Sequence, residues 1–206
     1  MTNKIIEEVN NYYTDKVITH GATPKGVDWN GFDSQELRFK QLVKLIEIEN
    51  SKQFSILDYG CGFGSMLTYL NRLNLKFDYT GFDISKEMLN QAKILYPNNI
   101  KWINSLPENI KFDYVVASGL FNVKQNQSNL DWENYILKTL DLINEISIKG
   151  FSFNILTSYS DAEYIKDYLY YASPEFYFKH CKIKYSKEVT LLHDYKLYEF
   201  TIILRK

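Results

Sequence analysis

Phe54-Ser55-Ile56-Leu57-Asp58-Tyr59-Gly60-Cys61-Gly62-Phe63-Gly64-Ser65-Met66-Leu67 is the stretch that decides the fold of this chain. Residues 54–59 carry Phe54, Ile56 and Leu57 in a short apolar run, the pattern of a buried strand. Leu67, Leu70 and Leu73 then recur at helical spacing, which predicts a helix over residues 65–74. Between them stand Gly60, Gly62 and Gly64, at alternate positions. Glycine suits a tight turn that needs positive φ or a close approach of the backbone to a ligand. The N–H groups opening the following helix carry partial positive charge toward that ligand. Three such glycines are a weak signal alone; a strand before and a helix after them make the signal specific.

Downstream the alternation continues. Strands are predicted at residues 77–83, 100–103, 112–118 and 150–157, and helices at 131–147 and 161–171. A further helix, capped by Ser85, runs to Tyr96 and stops at Pro97. Strands at 189–193 and 197–204, joined by a turn near Asp194-Tyr195-Lys196, are close enough to form an antiparallel hairpin. Alternating strands and helices imply a doubly wound α/β fold, a Rossmann-like sheet of seven mostly parallel strands with helices on both faces. Upstream, Ile5, Ile6, Val9 and Tyr13 predict a short amphipathic helix, followed by a loop of nearly twenty residues over 14–32. Asp33 and Glu36 have capping-box spacing, and Phe39, Leu42, Val43 and Ile46 form the apolar face of a second helix. With no repeat or linker, residues 1–206 form one domain: N-terminal helices and a lid-like loop over 1–50, and the core over 51–206.

A domain of 206 residues buries roughly 70% of its unfolded surface, so no disulfide or metal is needed to hold it. Cys61 and Cys181 make neither a disulfide framework nor a metal-ligand spacing, which fits a reducing cytoplasm; no metal is expected. The net charge of −1 opposes a nucleic-acid partner, which calls for a basic face. No apolar run approaches the roughly 20 residues of a membrane span, and the N-terminus has no apolar signal region. The expectation is a soluble cytoplasmic monomer or homodimer. The 16% aromatic content fills a core or lines a pocket.

Asp83 ends the second strand about twenty residues after the last glycine, where a carboxylate accepts both hydroxyls of a ribose. Its other reading is a helix cap, two residues before Ser85. The dinucleotide fingerprint places its third glycine one step later than here, so the spacing opposes an NAD-dependent oxidoreductase. Gly60-x-Gly62-x-Gly64, preceded by the acid Asp58, resembles instead the first motif of the class I (Rossmann-like) S-adenosylmethionine methyltransferases. That resemblance implies S-adenosylmethionine as cofactor and S-adenosylhomocysteine as product. It also implies that Asp83 holds the ribose, that Ile84 and Met88 flank the adenine, and that the turn from Gly60 through Cys61 and Gly62 to Gly64 contacts the methionine moiety. Asn104, Ser105 and Leu106 would stand near the adenine, and Ser118 and Gly119 beside the transferable methyl. Segments 20–31, 156–161 and 191–195 are similar to a bacterial methyltransferase group associated with cell-surface polysaccharides.

Methyl transfer is an in-line displacement, helped chiefly by alignment and by exclusion of water. A hydroxyl acceptor also benefits from a base, for which His20, His193 and Tyr159 are candidates. His20 opens the long loop, His193 ends the sixth strand or plugs a turn, and Tyr159 and Asn122 follow strands at acceptor-contact positions. Tyr13 and Trp29 close over the cofactor or, for Trp29, anchor the loop. Arg38 meets the cofactor carboxylate or an anionic acceptor, or belongs with Gln35 to a solvated helix face. His180 and the pair Tyr170-Tyr171 read as structural, and Cys61 as a small side chain in the turn. Ser118-Gly119-Leu120-Phe121 stands where a nucleic-acid methyltransferase has Asn/Asp-Pro-Pro-Tyr, which favours a small-molecule acceptor. The expected activity is methyl transfer to an oxygen or nitrogen of a small molecule, with a cofactor-binding module lacking activity as the alternative.

Overall fold

The computed structural model describes residues 2–29, 31–46, 53–98 and 100–206. Asn30, inside one of the family-like segments, and the boundary near residue 50 lie outside the described residues. Seven strands form one sheet in the order β3-β2-β1-β4-β5-β7-β6. They are β1 Phe54–Tyr59, β2 Phe77–Phe82, β3 Lys101–Ile103, β4 Phe112–Ala117, β5 Ser147–Leu156, β6 Glu188–Leu192 and β7 Glu199–Arg205. β1 to β5 pair in parallel, whereas β7 runs antiparallel to both β5 and β6. The C-terminal hairpin therefore does not simply extend the sheet; its second strand lies inside and its first forms the edge.

Successive strand residues point to opposite faces, and each face is covered. On one side Leu57, Val115, Phe153 and Phe200 meet Trp132, Ile136 and Leu140 of α5 (Asn129–Ile146). Ile5 and Val9 of α1 (Thr2–His20) and Tyr177 of α6 (Pro174–Lys184) join the same cluster. On the other side Ile56, Val116 and Ile203 meet Phe39 and Leu42 of α2 (Phe32–Leu42) and Met66 and Leu70 of α3 (Ser65–Asn71). In α4 (Lys86–Leu95), Met88 packs with Phe63 and with Val17 of α1, which ties the N-terminal helix to the glycine turn.

The first helix does not end near Tyr13; Ile5, Val9, Tyr13 and Val17 step by four along one face as far as His20. Gly21, at φ 63°, then ends it with its N–H on the Val17 carbonyl at 2.8 Å. The expected twenty-residue loop shrinks to residues 21–31, with a 3-10 turn at Pro24–Val27. Asp33 and Glu36 form no capping box: Gly31 holds the cap position without a side-chain bond, and Glu36 pairs with Arg72 at 2.6 Å.

Residues 161–171 are not a helix beyond the short 3-10 turn Ala162–Tyr164. Their backbone is claimed by the loop after β4: Lys124 and Gln125 N–H groups donate to the Tyr168 carbonyl, and Tyr170 N–H to the Asn122 carbonyl. The helix expected there lies further on, as α6. Ser173 caps it through the Phe176 N–H at 3.1 Å and Pro174 opens it, but only Pro174, Tyr177 and Cys181 are buried, so its periodicity is faint.

Candidate functional site

The site forms at the carboxyl ends of β1, β2 and β4, where ligands bind in open α/β sheets. After Tyr59 the chain turns through Gly60 (φ 80°), Gly62 (φ 53°) and Gly64 (φ 88°), all left-handed. The turn is laced to β2: Gly60 and Cys61 N–H groups both donate to the Phe82 carbonyl, at 2.8 and 3.0 Å. Gly62 N–H donates to Asp83 Oδ2 at 2.8 Å, and Ser85 N–H to Asp83 Oδ1 at 2.8 Å. Ser85, rather than Asp83, caps α4, its Oγ accepting the Met88 N–H. Asp83 thus holds the glycine turn and the start of α4 together, and its carboxylate also faces a cavity.

That cavity measures about 310 Å³. The small end of the range for ligand sites is roughly 300 Å³. The glycine turn and Asp58, Asp83, Ile84 and Met88 form one wall. Ser118, Gly119 and Leu120, after β4, form a second. Ile6, Val9, Tyr13, Val27, Trp29, Gln35 and Phe39 close it from the N-terminal region, and Tyr135, Lys138, Thr139 and Leu142 of α5 complete it.

Burial sets the electrostatics. Asp58 accepts the Tyr79 hydroxyl at 2.7 Å, yet desolvation and then the nearby Asp83 push its pKa up to about 7 against that bond. Asp83 is raised to about 6 by burial, opposed by the two N–H bonds it accepts. The Cys61 thiol is held well above its usual range by burial, with Asp83 and Asp58 adding to the effect, so it is no thiolate nucleophile. Ser118 Oγ is buried without a hydrogen-bond partner.

The N-terminal cover is locked in place. Asp28 takes the Tyr12 hydroxyl at 2.8 Å and Lys16 Nζ at 2.7 Å, fixing the loop to α1. Trp29 follows, packed on Phe39 (centroids 5.9 Å apart) and beneath the Arg38 guanidinium at 4.5 Å. Gly119, at φ 67°, lies against Trp29; a Cβ there would stand 2.8 Å from the indole Cζ2.

Of the residues singled out from sequence, Asp58, Gly60, Cys61, Gly62, Asp83, Ile84, Met88, Ser118, Gly119, Tyr13 and Trp29 meet around this cavity. Gly64 turns toward Trp102 instead, and Asn104, Ser105 and Leu106 lie off the lining. Arg38 does not reach the cavity or a solvated face. It sits behind Trp29, ion-paired with buried Glu199. The three acid–base candidates are not brought together. His20 is exposed at the last turn of α1, because that helix runs longer than expected. His193 lies beside exposed Tyr159, the rings 6.0 Å apart and tilted by 45°, and the Tyr159 hydroxyl donates to Glu175 at 2.5 Å. None of the three lines the cavity. Sequence reasoning missed Ile6, Val9, Phe39, the α5 wall, Asn154 and Glu199. The last two carried a signal: polar residues within otherwise apolar strand runs, Phe153-Asn154-Ile155 and Glu199-Phe200.

Residues 56–138 match the family model described as a methyltransferase domain. The chain is 50% identical over 155 residues to "Putative methyltransferase Rv1506c" of Mycobacterium tuberculosis, a match covering 74% of this chain and 93% of that protein. Among solved structures it resembles the DhpI–SAH complex, with a TM-score of 0.66 at 12% identity over 98% of this chain and 97% of the other. It also resembles the plantazolicin methyltransferase BpumL in complex with a pentazolic desmethylPZN analog and SAH, at a TM-score of 0.62 and 16% identity. That second likeness covers 100% of this chain and 99% of BpumL. With a relative so similar over nearly its whole length, a methyltransferase-domain match spanning the glycine turn, and the shared fold, this chain belongs to the methyltransferases of the class I, S-adenosylmethionine-dependent fold.

Proposed function

We propose that the cavity binds S-adenosylmethionine and that the enzyme methylates an oxygen or nitrogen of a small molecule. The observation that carries this is one continuous cavity holding a left-handed glycine turn, the Asp83 carboxylate and the unpartnered Ser118 hydroxyl. These residues fit the group. Asp83 keeps free acceptor capacity for ribose hydroxyls beyond the two N–H bonds it accepts, and Ile84 and Met88 offer apolar walls for a base. In this reading Gly60 to Gly62 admit close approach of an amino-acid moiety, and Ser118 and Gly119, which line the cavity, stand beside the transferable methyl. When bound, S-adenosylmethionine supplies a methyl group activated on a sulfonium.

The chain's own contribution is orientation and dryness. Trp29, Phe39 and Tyr13 exclude water from the N-terminal side. Ser118 stands in the wall after β4, with its Oγ buried and without a hydrogen-bond partner. With no histidine among the described residues lining the cavity, alignment carries the transfer and an acceptor nitrogen or an already acidic hydroxyl suits it best. His20, His193 and Tyr159 would act as bases only through a rearrangement that brings one of them to the cavity. Similar segments at 20–31, 156–161 and 191–195 support an acceptor that is a sugar or phosphorus-containing precursor of a surface polysaccharide. BpumL, a similar fold solved with a pentazolic desmethylPZN analog and SAH, supports a small-molecule acceptor.

The test uses S-adenosylmethionine labelled in its methyl group, incubated with nucleotide sugars, phosphorylated sugars, small amines, transfer RNA and DNA. Label is expected in a small-molecule product and lost in Asp83→Ala. Label in nucleic acid alone would overturn the acceptor assignment.

A further inference from the structure

Glu199 opens β7, a strand whose other residues through Leu204 are apolar apart from Thr201, and it is 1% exposed. A carboxylate so placed is costly unless paired. Its Oε1 and Oε2 accept Arg38 Nε at 2.7 and 2.9 Å, and Arg38 Nη2 also donates to Oε1. Oε2 also accepts Asn154 Nδ2, from the fully buried Asn154 of β5. Asn154 Oδ1 in turn accepts the Gly119 N–H at 2.8 Å.

One carboxylate therefore has two arms. Through Arg38, whose guanidinium lies 4.5 Å over the indole, it holds Trp29; through Asn154 it holds the Gly119 amide. Trp29 and Gly119 both line the cavity, and they meet each other. Stability is a poor account of this arrangement. A buried ion pair is generally no better for folding than apolar residues of the same volume, and here Arg38 Nη1 is left buried without a partner. What an apolar filling would not supply is a fixed register between the N-terminal cover and the loop after β4.

We propose that Glu199 is a positioning residue: it sets the Trp29–Gly119 wall at the methyl-transfer end of the cavity. This rests on the cofactor reading above, and the test separates the two.

The protein is labelled with 5-fluorotryptophan and observed by fluorine NMR, where Trp29, Trp102 and Trp132 give one resonance each and Trp29→Phe assigns the first. In Glu199→Gln the Trp29 line should shift and broaden while the other two hold, and the calorimetric Kd for S-adenosylhomocysteine should rise about tenfold. If Glu199→Gln does not fold, the uncharged pair Arg38→Gln/Glu199→Gln is measured and should show the same two changes. A folded variant with an unmoved Trp29 line and an unchanged Kd overturns the proposal, even if its melting temperature falls. A parent protein that binds neither sulfur nucleoside overturns the cofactor reading instead, while the Trp29 line still reports whether Glu199 holds the wall.

Discussion

Replacing Asp83 by Asn leaves the side-chain volume almost unchanged and alters only what its two outer atoms accept. In the structure both oxygens accept a backbone N–H, from Gly62 and Ser85, each at 2.8 Å. An asparagine has one acceptor oxygen, so its NH₂ must face one of those N–H groups, donor against donor. A hydrogen bond to a charged group contributes about 1.5–3 kcal/mol. Losing the charged acceptor for the two ribose hydroxyls removes two such interactions from the complex, about 3 kcal/mol at the lower end. The lost tether of the glycine turn is common to free and bound protein and falls on stability. At about 1.4 kcal/mol per decade, affinity for S-adenosylhomocysteine falls about 100-fold. Folding should suffer less, because burial already raises the Asp83 pKa to about 6 and the neutral amide escapes that penalty. Calorimetric titration measures the first effect and thermal melting the second. A Kd within threefold of the parent's, in a variant that melts normally, would refute the assignment of Asp83 to the cofactor.

Asp58 and Asp83 keep protons in the folded chain that the unfolded chain has released, since their pKa values are raised to about 7 and about 6. These two groups therefore make stability decline as pH rises from about 4 to 7 and level off above, which denaturant titrations at several pH values would show; a shallower decline in Asp58→Asn, with the Asp83 share left, confirms the source. Cofactor affinity runs the other way: it needs the Asp83 carboxylate, so it should weaken about tenfold per pH unit below 6 and flatten above it. Gly119→Ala forces a Cβ to 2.8 Å from Trp29 at φ 67°; left-handed strain of about 1–2 kcal/mol and overpacking of about 1–3 kcal/mol should lower stability by 2 kcal/mol or more, read from urea denaturation. Cys61, buried and with a raised pKa, should resist iodoacetamide in the native protein at pH 8 and react once unfolded, as mass spectrometry would show.

The sheet and the cofactor wall were legible because their signals are local. Residues 54–59 are predicted and found as a strand, and Asp83 is found on the cavity wall near the glycines, as its spacing implies. The acceptor side was not legible, because it is assembled from distant segments. Whether Arg38 faces solvent depends on Glu199, 161 residues away, and nothing near Arg38 reports that partner. The first helix ran on because Val17 extends a four-residue apolar step whose value depends on packing against Phe63 and Met88. Residues 161–171 have helical spacing, yet the loop after β4 takes their backbone hydrogen bonds. His20, His193 and Tyr159 were plausible as residue types, and type alone does not place a side chain in a cavity.

The central claim is the identity of the cofactor. Calorimetric titration of the purified protein with S-adenosylmethionine, S-adenosylhomocysteine and NAD in parallel tests it most directly. Micromolar binding of both sulfur nucleosides, lost in Asp83→Ala, is expected, with no binding of NAD. Binding of NAD with no response to either sulfur nucleoside would contradict it.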